Sequence, residues 1–107
     1  MKTTIERGAP VVTLINVFTV DPTKQEALVR VLDEATEKVI KDMPGFVSAN
    51  IHRSLDGHHV VNYAQWESRE AMDAMLAHPA SQQHLRDAAA LARFEPYLYE
   101  VTSVFHR

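Results

Sequence analysis

An α+β domain with the element order β-α-β-β-α-β is predicted by three features of the sequence. A run of β-branched and apolar residues comes first, and Asp21-Pro22 after it is typical of a helix start. Apolar residues then recur at helical spacing, and two further β-type runs lie on either side of Asp56-Gly57. Because Asp-Gly is a strong hairpin signal, those two runs are predicted to pair. This order predicts a ferredoxin-like fold, in which an antiparallel sheet carries its helices on one face.

The first half of the chain predicts a strand followed by a long helix. The strand spans residues 11–20, and the helix runs over residues 23–43 until Pro44-Gly45 ends it. One apolar stripe follows the helix, formed by Leu28, Val31, Leu32, Ala35, Val39 and Met43. The helix is therefore expected to bury a single face against the sheet.

The second half predicts a hairpin, two helical segments and a closing strand. Ser68 is a typical helix N-cap, and His78-Pro79 separates that helix from the next. The predicted elements are strands 46–54 and 58–66, helices 68–77 and 80–92, and a last strand 96–105. These segments complete the predicted order.

Apolar side chains point to both sides of the first predicted strand. One side carries Val12, Leu14, Phe18 and Val20, and the other carries Val11, Ile15 and Val17. Since the helices cover only one face of such a sheet, the other face is predicted to pack against a second copy. The expected assembly is a homodimer, a dimeric α/β barrel, with a pocket inside each protomer between sheet and helices.

Length and charge bound the class of protein. The 107 residues fit one domain, predicted over residues 11–107 after a flexible N-terminal segment, residues 1–10. The formal net charge is -3 with both signs interspersed, so neither nucleic acid nor a membrane is an expected partner. No apolar run has the length of a secretory signal or a membrane span, which predicts a cytoplasmic protein.

The residue types present also restrict the chemistry. The sequence has no cysteine, which excludes thiolate catalysis and iron–sulfur clusters. Its histidines show no His-x-x-x-His pair beside a carboxylate, so no metal site is predicted. No Gly-rich loop follows a predicted strand, so no nicotinamide or flavin site is predicted. We therefore expect a reaction without a cofactor, in which the substrate supplies the electrons.

A candidate binding site lies on the third predicted strand. Side chains alternate along a strand, so Asn62 and Trp66 point to the same side with the small Ala64 between them. An amide and an indole separated in this way fit the floor and wall of a pocket for a flat aromatic ring. Ordinary packing of the indole, with its N–H on a carbonyl, is the alternative interpretation.

Three further side chains are candidates for the same pocket. His52 alternates with Phe46 on the second strand, and its cross-strand neighbour is expected near Asn62. His84 and Arg86 lie on the last predicted helix, where a guanidinium would stabilise a phenolate or quinone oxygen. Simple packing of His52 and a surface ion pair of Arg86 are the alternatives.

Several motifs resemble one known family. The element order, Pro44-Gly45-Phe46, the Asp56-Gly57 turn and the Trp66-Glu67-Ser68 junction are similar to the antibiotic biosynthesis monooxygenase family of dimeric ferredoxin-like domains. The resemblance covers the chain from Val11 to Phe105. It implies an enzyme of the monooxygenase class.

A longer run makes the resemblance more specific. Residues 60–68, together with Ser48-Ala49 and His52, are most similar to small cofactor-independent members that oxidise a tricyclic phenolic, anthrone-type polyketide to a quinone. The resemblance implies that a small aromatic molecule and O2 are the substrates. An ionised phenol is electron-rich enough to pass an electron to dioxygen, and a dry pocket that stabilises the anion favours that transfer.

The resemblance also implies roles for individual residues. Asn62, Trp66 and Arg86 match the pocket groups of such enzymes, which implies hydrogen bonding, ring stacking and oxyanion stabilisation in that order. Met72 stands where these relatives have a pocket tyrosine. We therefore expect Met72 to contact the substrate and the route of the proton to differ.

Two alternative functions stay open at this point. The same fold occurs in haem-degrading monooxygenases, which the chain resembles in Asn16 and in the iron-ligating position of His84, whereas Met75 replaces their tryptophan. Asn16 and His84 are accordingly predicted to line the site. The other alternative is a non-catalytic dimeric module that binds a hydrophobic ligand.

Overall fold

In the computed structural model, which describes residues 2–107, the chain forms strands and helices in the predicted order. The strands are β1 (Val12–Val20), β2 (Phe46–Arg53), β3 (His59–Trp66) and β4 (Ala92–Tyr99). The α-helices are α1 (Gln25–Lys38), α2 (Arg69–Ala77) and α3 (Pro79–Ala89). Short 3-10 turns, Pro22–Lys24 and Ile40–Asp42, lie before and after α1.

The strands of the described residues form one antiparallel sheet in the order β2-β3-β1-β4. The central β1 places Asn16 directly opposite Asn62 of β3 and Pro96 of β4. Pro96 is tolerated because β4 is an edge strand, where one side of the backbone needs no partner. The helices pack on one face of this sheet, so the predicted ferredoxin-like α+β fold is confirmed.

The predicted bounds of the long helix and of the last strand were wrong. The long helix ends at Lys38 rather than at residue 43, because Val39 leaves the helical region and a separate turn leads to Pro44. The last strand begins at Ala92 and ends at Tyr99, instead of spanning 96–105. It pairs with β1 from Val20, opposite Ala92, to Thr13, opposite Tyr99. The pairing ends there because Thr13 is the second residue of β1. Residues 100–107 are irregular.

The predicted hairpin turn is confirmed between β2 and β3. Gly57 has a positive φ of 85°, which glycine adopts without strain. The Asp56 carboxylate accepts hydrogen bonds from the His58 backbone N–H at 3.0 Å and from Ser54 Oγ at 2.7 Å. These bonds, the backbone bond first, lower the pKa of Asp56, because they stabilise the charged form.

The Pro44-Gly45 motif joins the start of β2 to α2. Gly45 has a φ of 85°, and a β-carbon at this position would collide with the Ala71 side chain on α2. Its carbonyl accepts a hydrogen bond of 2.7 Å from the Glu67 backbone N–H, at the junction of β3 and α2. Glycine is needed here because the backbone approaches a helix too closely for a side chain.

Two buried clusters form the core between sheet and helices. The first cluster joins the sheet to α1 and α3 and consists of Phe18, Val20, Leu28, Val60 and Ala88. The second joins β3 to α2 and consists of Ala64, Trp66, Met72 and Met75. A cavity lies between these clusters.

The helix-free face of the sheet carries part of the N-terminal segment. Residues 2–10 have no helix or strand, but Thr3 Oγ1 donates to Asn50 Oδ1 at 2.7 Å and Gln65 Nε2 donates to the Thr4 carbonyl at 2.8 Å. The predicted flexibility of this segment stays a prediction.

None of the helices within residues 2–107 combines the length and the apolar character that crossing a membrane requires.

Candidate active site

A cavity of about 160 Å³ lies between the sheet and the three helices. Most of its wall is apolar, with side chains from β1, α1, α2, α3 and β4 such as Leu14, Leu32, Leu85 and Phe94. Its polar groups come from Asn16, Thr36, Asn62, Ser81 and His84. This composition, apolar walls with a few polar groups, is typical of a binding site for a small organic molecule.

Two asparagines form the polar part of the cavity floor. Asn16 and Asn62 are direct cross-strand neighbours, and both point toward the helices. The side-chain oxygens of both are buried and have no hydrogen-bond partner among the described residues. A buried acceptor without a partner costs about 1–3 kcal/mol, so a pair of them facing a cavity points to a missing donor. A third such atom, Thr13 Oγ1, belongs to the other side of the sheet.

His84 reaches the cavity from α3. Ser81, His84, Leu85 and Ala88 all line the cavity, and their spacing places them on one face of the helix. His84 is half-buried. Among the described residues that line the cavity, it is the one whose side chain can ionise. Asn16 and His84 therefore lie where the sequence predicted them, in the same cavity as Asn62.

Trp66 lies close to this cavity without lining it. Its side chain is 1 % exposed and packs edge-on against Phe46, with ring centroids 5.5 Å apart and an interplanar angle of 85°. Met72 belongs to the same buried cluster, and neither residue is among those lining the cavity. Met75 belongs to this cluster and also lines the cavity, so it lies between the two regions.

Arg86 does not reach the cavity. It is exposed, and its Nη2 donates a hydrogen bond of 2.9 Å to Gln83 Oε1 on the same helix. The reason is helical geometry, because two residues correspond to about 200° of rotation and Arg86 is two residues beyond His84. The structure therefore does not bring Arg86 together with Asn62, and the predicted position of its guanidinium at the pocket is wrong.

His52 also lies away from the cavity. Its cross-strand neighbour is Val61, whereas Ile51 is opposite Asn62, so the predicted neighbour was wrong. The cause is an irregularity in the pairing between Phe46 and Ser48, which shifts the alternation of β2 and turns His52 to the helix-free face. There His52 is exposed, and its Nδ1 lies 3.2 Å from the Asn50 carbonyl oxygen.

Ser81 was missed by the sequence analysis. It is 1 % exposed, lines the cavity and has only a weak contact of 3.9 Å from its hydroxyl to Met43 Sδ. The available signal was its spacing of three residues from His84.

Residues 2–107 contain no group of three or more His, Cys, Asp or Glu side chains placed to hold a metal ion.

Fold and site together define a ferredoxin-like α+β domain with a largely apolar cavity between sheet and helices, of the kind that binds small organic molecules. The model of the antibiotic biosynthesis monooxygenase family matches residues 11–87. The chain therefore belongs to the antibiotic biosynthesis monooxygenase family. The family resemblance seen in the sequence is confirmed, as is the prediction of an enzyme of the monooxygenase class.

Individual relatives agree with this assignment. The chain is 46% identical over 102 residues to tetracenomycin-F1 monooxygenase of Streptomyces glaucescens, covering 95% of this chain and 91% of the relative. A crystal structure of the ActVA-Orf6 monooxygenase of Streptomyces coelicolor with nanaomycin D superposes with a TM-score of 0.81 at 30% identity, covering 90% of this chain and 91% of that one. SnoaB, a cofactor-independent oxygenase from Streptomyces nogalater, has a TM-score of 0.73 at 27% identity, covering 92% and 100%.

Proposed function

We propose that this protein is a cofactor-independent monooxygenase that oxidises a phenolic polycyclic, anthrone-like or hydroquinone substrate to a quinone with O2. The observation that carries the proposal is the pair of buried, unpartnered amide oxygens of Asn16 and Asn62 at an apolar cavity. Hydroxyl hydrogens of a phenolic ring are suitable donors to these oxygens. Two relatives, a tetracenomycin-F1 monooxygenase and a cofactor-independent oxygenase, support this class of substrate and reaction.

The proposed reaction balances without an added reductant. An anthrone loses the two hydrogens of its methylene carbon, one oxygen atom of O2 becomes the new carbonyl, and the other leaves as water. Asn62 and Asn16 orient the phenolic oxygens, since an amide accepts a hydrogen bond from a phenol and donates one to a phenolate. The apolar walls exclude water, so the hydrogen bonds to the ionised ring act in a medium of low polarity.

A polycyclic substrate requires the cavity to widen. Its volume of about 160 Å³ is below the roughly 300–1,000 Å³ of pockets for drug-sized molecules. Met75 lines the cavity and belongs to the buried cluster of Trp66, and an unbranched methionine side chain rearranges at little cost. We propose that Met75 moves on binding and that the ring system then extends toward Trp66, where stacking against the indole becomes available. Met72 belongs to the same cluster as Trp66 and would contact the far end of the ring.

We also infer that two copies pair through the helix-free face of the sheet. Val17 is 37% and Tyr97 59% exposed on this face, and Phe105 in the irregular tail is 90% exposed. Apolar side chains concentrated on one face are typical of an interface between subunits. Light scattering after size exclusion should give twice the chain mass, and V17K should give the monomer mass. L55K, at a fully exposed hairpin residue, is the matched control and should stay dimeric.

The proposed reaction is tested by measuring oxygen consumption with dithranol, a dihydroxyanthrone, in buffer containing a chelator and no flavin. The account predicts one O2 consumed per quinone formed, at a rate well above that without protein, and a large loss in N62L. Tight binding of dithranol without oxygen consumption would identify a ligand-binding module instead.

The haem alternative has its own observation, since Asn16 and His84 do line one cavity. Titration with hemin separates the two functions. A Soret band that is lost in H84A would favour haem binding, whereas our proposal predicts no saturable band.

A further inference from the structure

We infer that His84 is the general base that accepts the phenol proton of the substrate and then, as an imidazolium, stabilises the phenolate. The inference rests on the proposed function. It assigns to His84 the two tasks of that reaction that no other residue performs, which are accepting the proton and stabilising the oxyanion. Oxyanion stabilisation was predicted for Arg86, but that side chain lies on the outer side of α3. No residue had been given the task of accepting the proton.

The composition of the cavity wall is the first argument. The lining side chains from β1, β3, β4, α1, α2 and the turn after α1 carry no charge and do not ionise near neutral pH. His84 is the lining residue that can take a proton at that pH. Of its charged neighbours on α3, Arg86 is exposed on the far side of the helix. Asp87, one turn beyond His84, is exposed, does not line the cavity and accepts a hydrogen bond of 3.0 Å from Gln83 Nε2. A base that acts on a ring inside this cavity is therefore His84 or solvent.

The position of the His84 ring is the second argument. His84 is half-buried, so one side of it belongs to the cavity and the other remains within reach of water, to which the proton can be released. In two other histidines a ring nitrogen contacts the nearby backbone. His78 Nδ1 accepts a hydrogen bond of 3.1 Å from the Ala80 N–H, and His52 Nδ1 lies against the Asn50 carbonyl oxygen. The His84 ring has no such backbone contact within residues 2–107.

The charge balance is the third argument. When the phenol O–H bond breaks, its electron pair stays on the oxygen and the proton goes to an unprotonated imidazole nitrogen. The products are a phenolate and an imidazolium in contact, which attract each other strongly because the surrounding wall is apolar. Asn62 and Asn16 then hold the ring in place while it passes an electron to O2. One histidine thus replaces both a separate base and the guanidinium.

The test compares H84Q with H58Q, which makes the same change at an exposed histidine of the hairpin. Dithranol oxidation at neutral pH should fall by about 10²–10⁴-fold in H84Q and stay unchanged in H58Q. The H84Q rate should rise as the pH approaches the ionisation of the substrate's own phenol, because the substrate then arrives deprotonated. Added imidazole should restore part of the activity of H84A. Circular dichroism of each variant checks that the fold is kept.

The outcomes separate the inference from the proposed function. If wild type oxidises dithranol and H84Q has the same rate and pH profile, His84 is not the base and the proposed function stands. A loss in H84Q that neither high pH nor imidazole reverses would also overturn the role as base. If wild type neither binds nor oxidises dithranol and other phenolic polycycles, the proposed function itself fails.

Discussion

Replacement of Asn62 by leucine should make the protein more stable and less active. The buried Asn62 side-chain oxygen has no hydrogen-bond partner among the described residues, and an acceptor left in this state costs about 1–3 kcal/mol. Leucine has as many side-chain heavy atoms as asparagine and removes this cost, and the adjoining cavity accepts the slightly larger volume of its two methyl groups. We expect a gain of about 1 kcal/mol, equivalent to a rise of about 4–8 °C in the thermal midpoint for a domain near this size. Oxidation of dithranol should fall strongly, because the substrate hydroxyl loses its acceptor.

The matched control is N50L, on the helix-free face. Asn50 Oδ1 accepts a hydrogen bond of 2.7 Å from Thr3 Oγ1, and its Nδ2 donates one of 3.1 Å to the Tyr63 carbonyl. Removing these bonds should lower the free energy of unfolding by about 1–2 kcal/mol, without loss of activity. Urea unfolding of wild type, N62L and N50L gives the three values side by side. The reasoning is refuted if N62L is destabilised as much as N50L, because the Asn62 amide would then be satisfied in the folded protein.

Three more predictions follow from the placement of single residues. R86Q should keep the rate of dithranol oxidation within about twofold of wild type, since the guanidinium is exposed and hydrogen-bonded to Gln83 on its own helix. A large loss of activity would show that Arg86 takes part in the site. W66F should lower the free energy of unfolding by about 1–3 kcal/mol, because the indole is fully buried, yet reduce turnover less than N62L at a temperature where both are folded. Hydrogen bonds lower the pKa of Asp56 below its ordinary value of 3.8. The charged carboxylate therefore stabilises the folded protein fully at pH values above 3.8, and this contribution is lost as the pH falls through the lower pKa of the folded state. The stability difference between wild type and D56N should therefore be present at neutral pH and vanish in strong acid; a difference independent of pH would contradict this assignment.

Much of the fold could be predicted from local patterns. Alternation along the strands and the Asp-Gly turn fix the hairpin, and alternation alone places Asn62 and Trp66 on the same side of β3. The last strand was misplaced because its true start, Ala92, follows an alanine-rich helix without a clear break. What locates that strand is its pairing with β1, which brings Phe94 against Phe18 with ring centroids 5.6 Å apart. Long-range pairing of this kind is not visible in a local sequence pattern.

The candidate site was predicted in part, for identifiable reasons. Asn16, Asn62 and His84 line one cavity as expected. His52 was misplaced because a single irregular residue in β2 reverses which face the following side chains occupy. Arg86 was misplaced although the spacing of the apolar residues of α3 already directs it outward, because its role was inferred from the chemistry of the guanidinium and from the family resemblance, and not from the helix geometry. Whether Trp66 faces a ligand depends on how Met75 packs, which the sequence does not encode locally.

The most direct test of the account is a crystal structure of the protein with dihydroxyanthraquinone, the stable quinone product of dithranol oxidation. We predict the rings inside the cavity between sheet and helices, with the Met75 side chain displaced from its position in the unliganded protein. The ligand oxygens should lie within hydrogen-bond distance of the Asn16 and Asn62 amides and of the His84 ring. Ligand density on the helix-free face of the sheet, with the cavity still closed, would contradict the central claim.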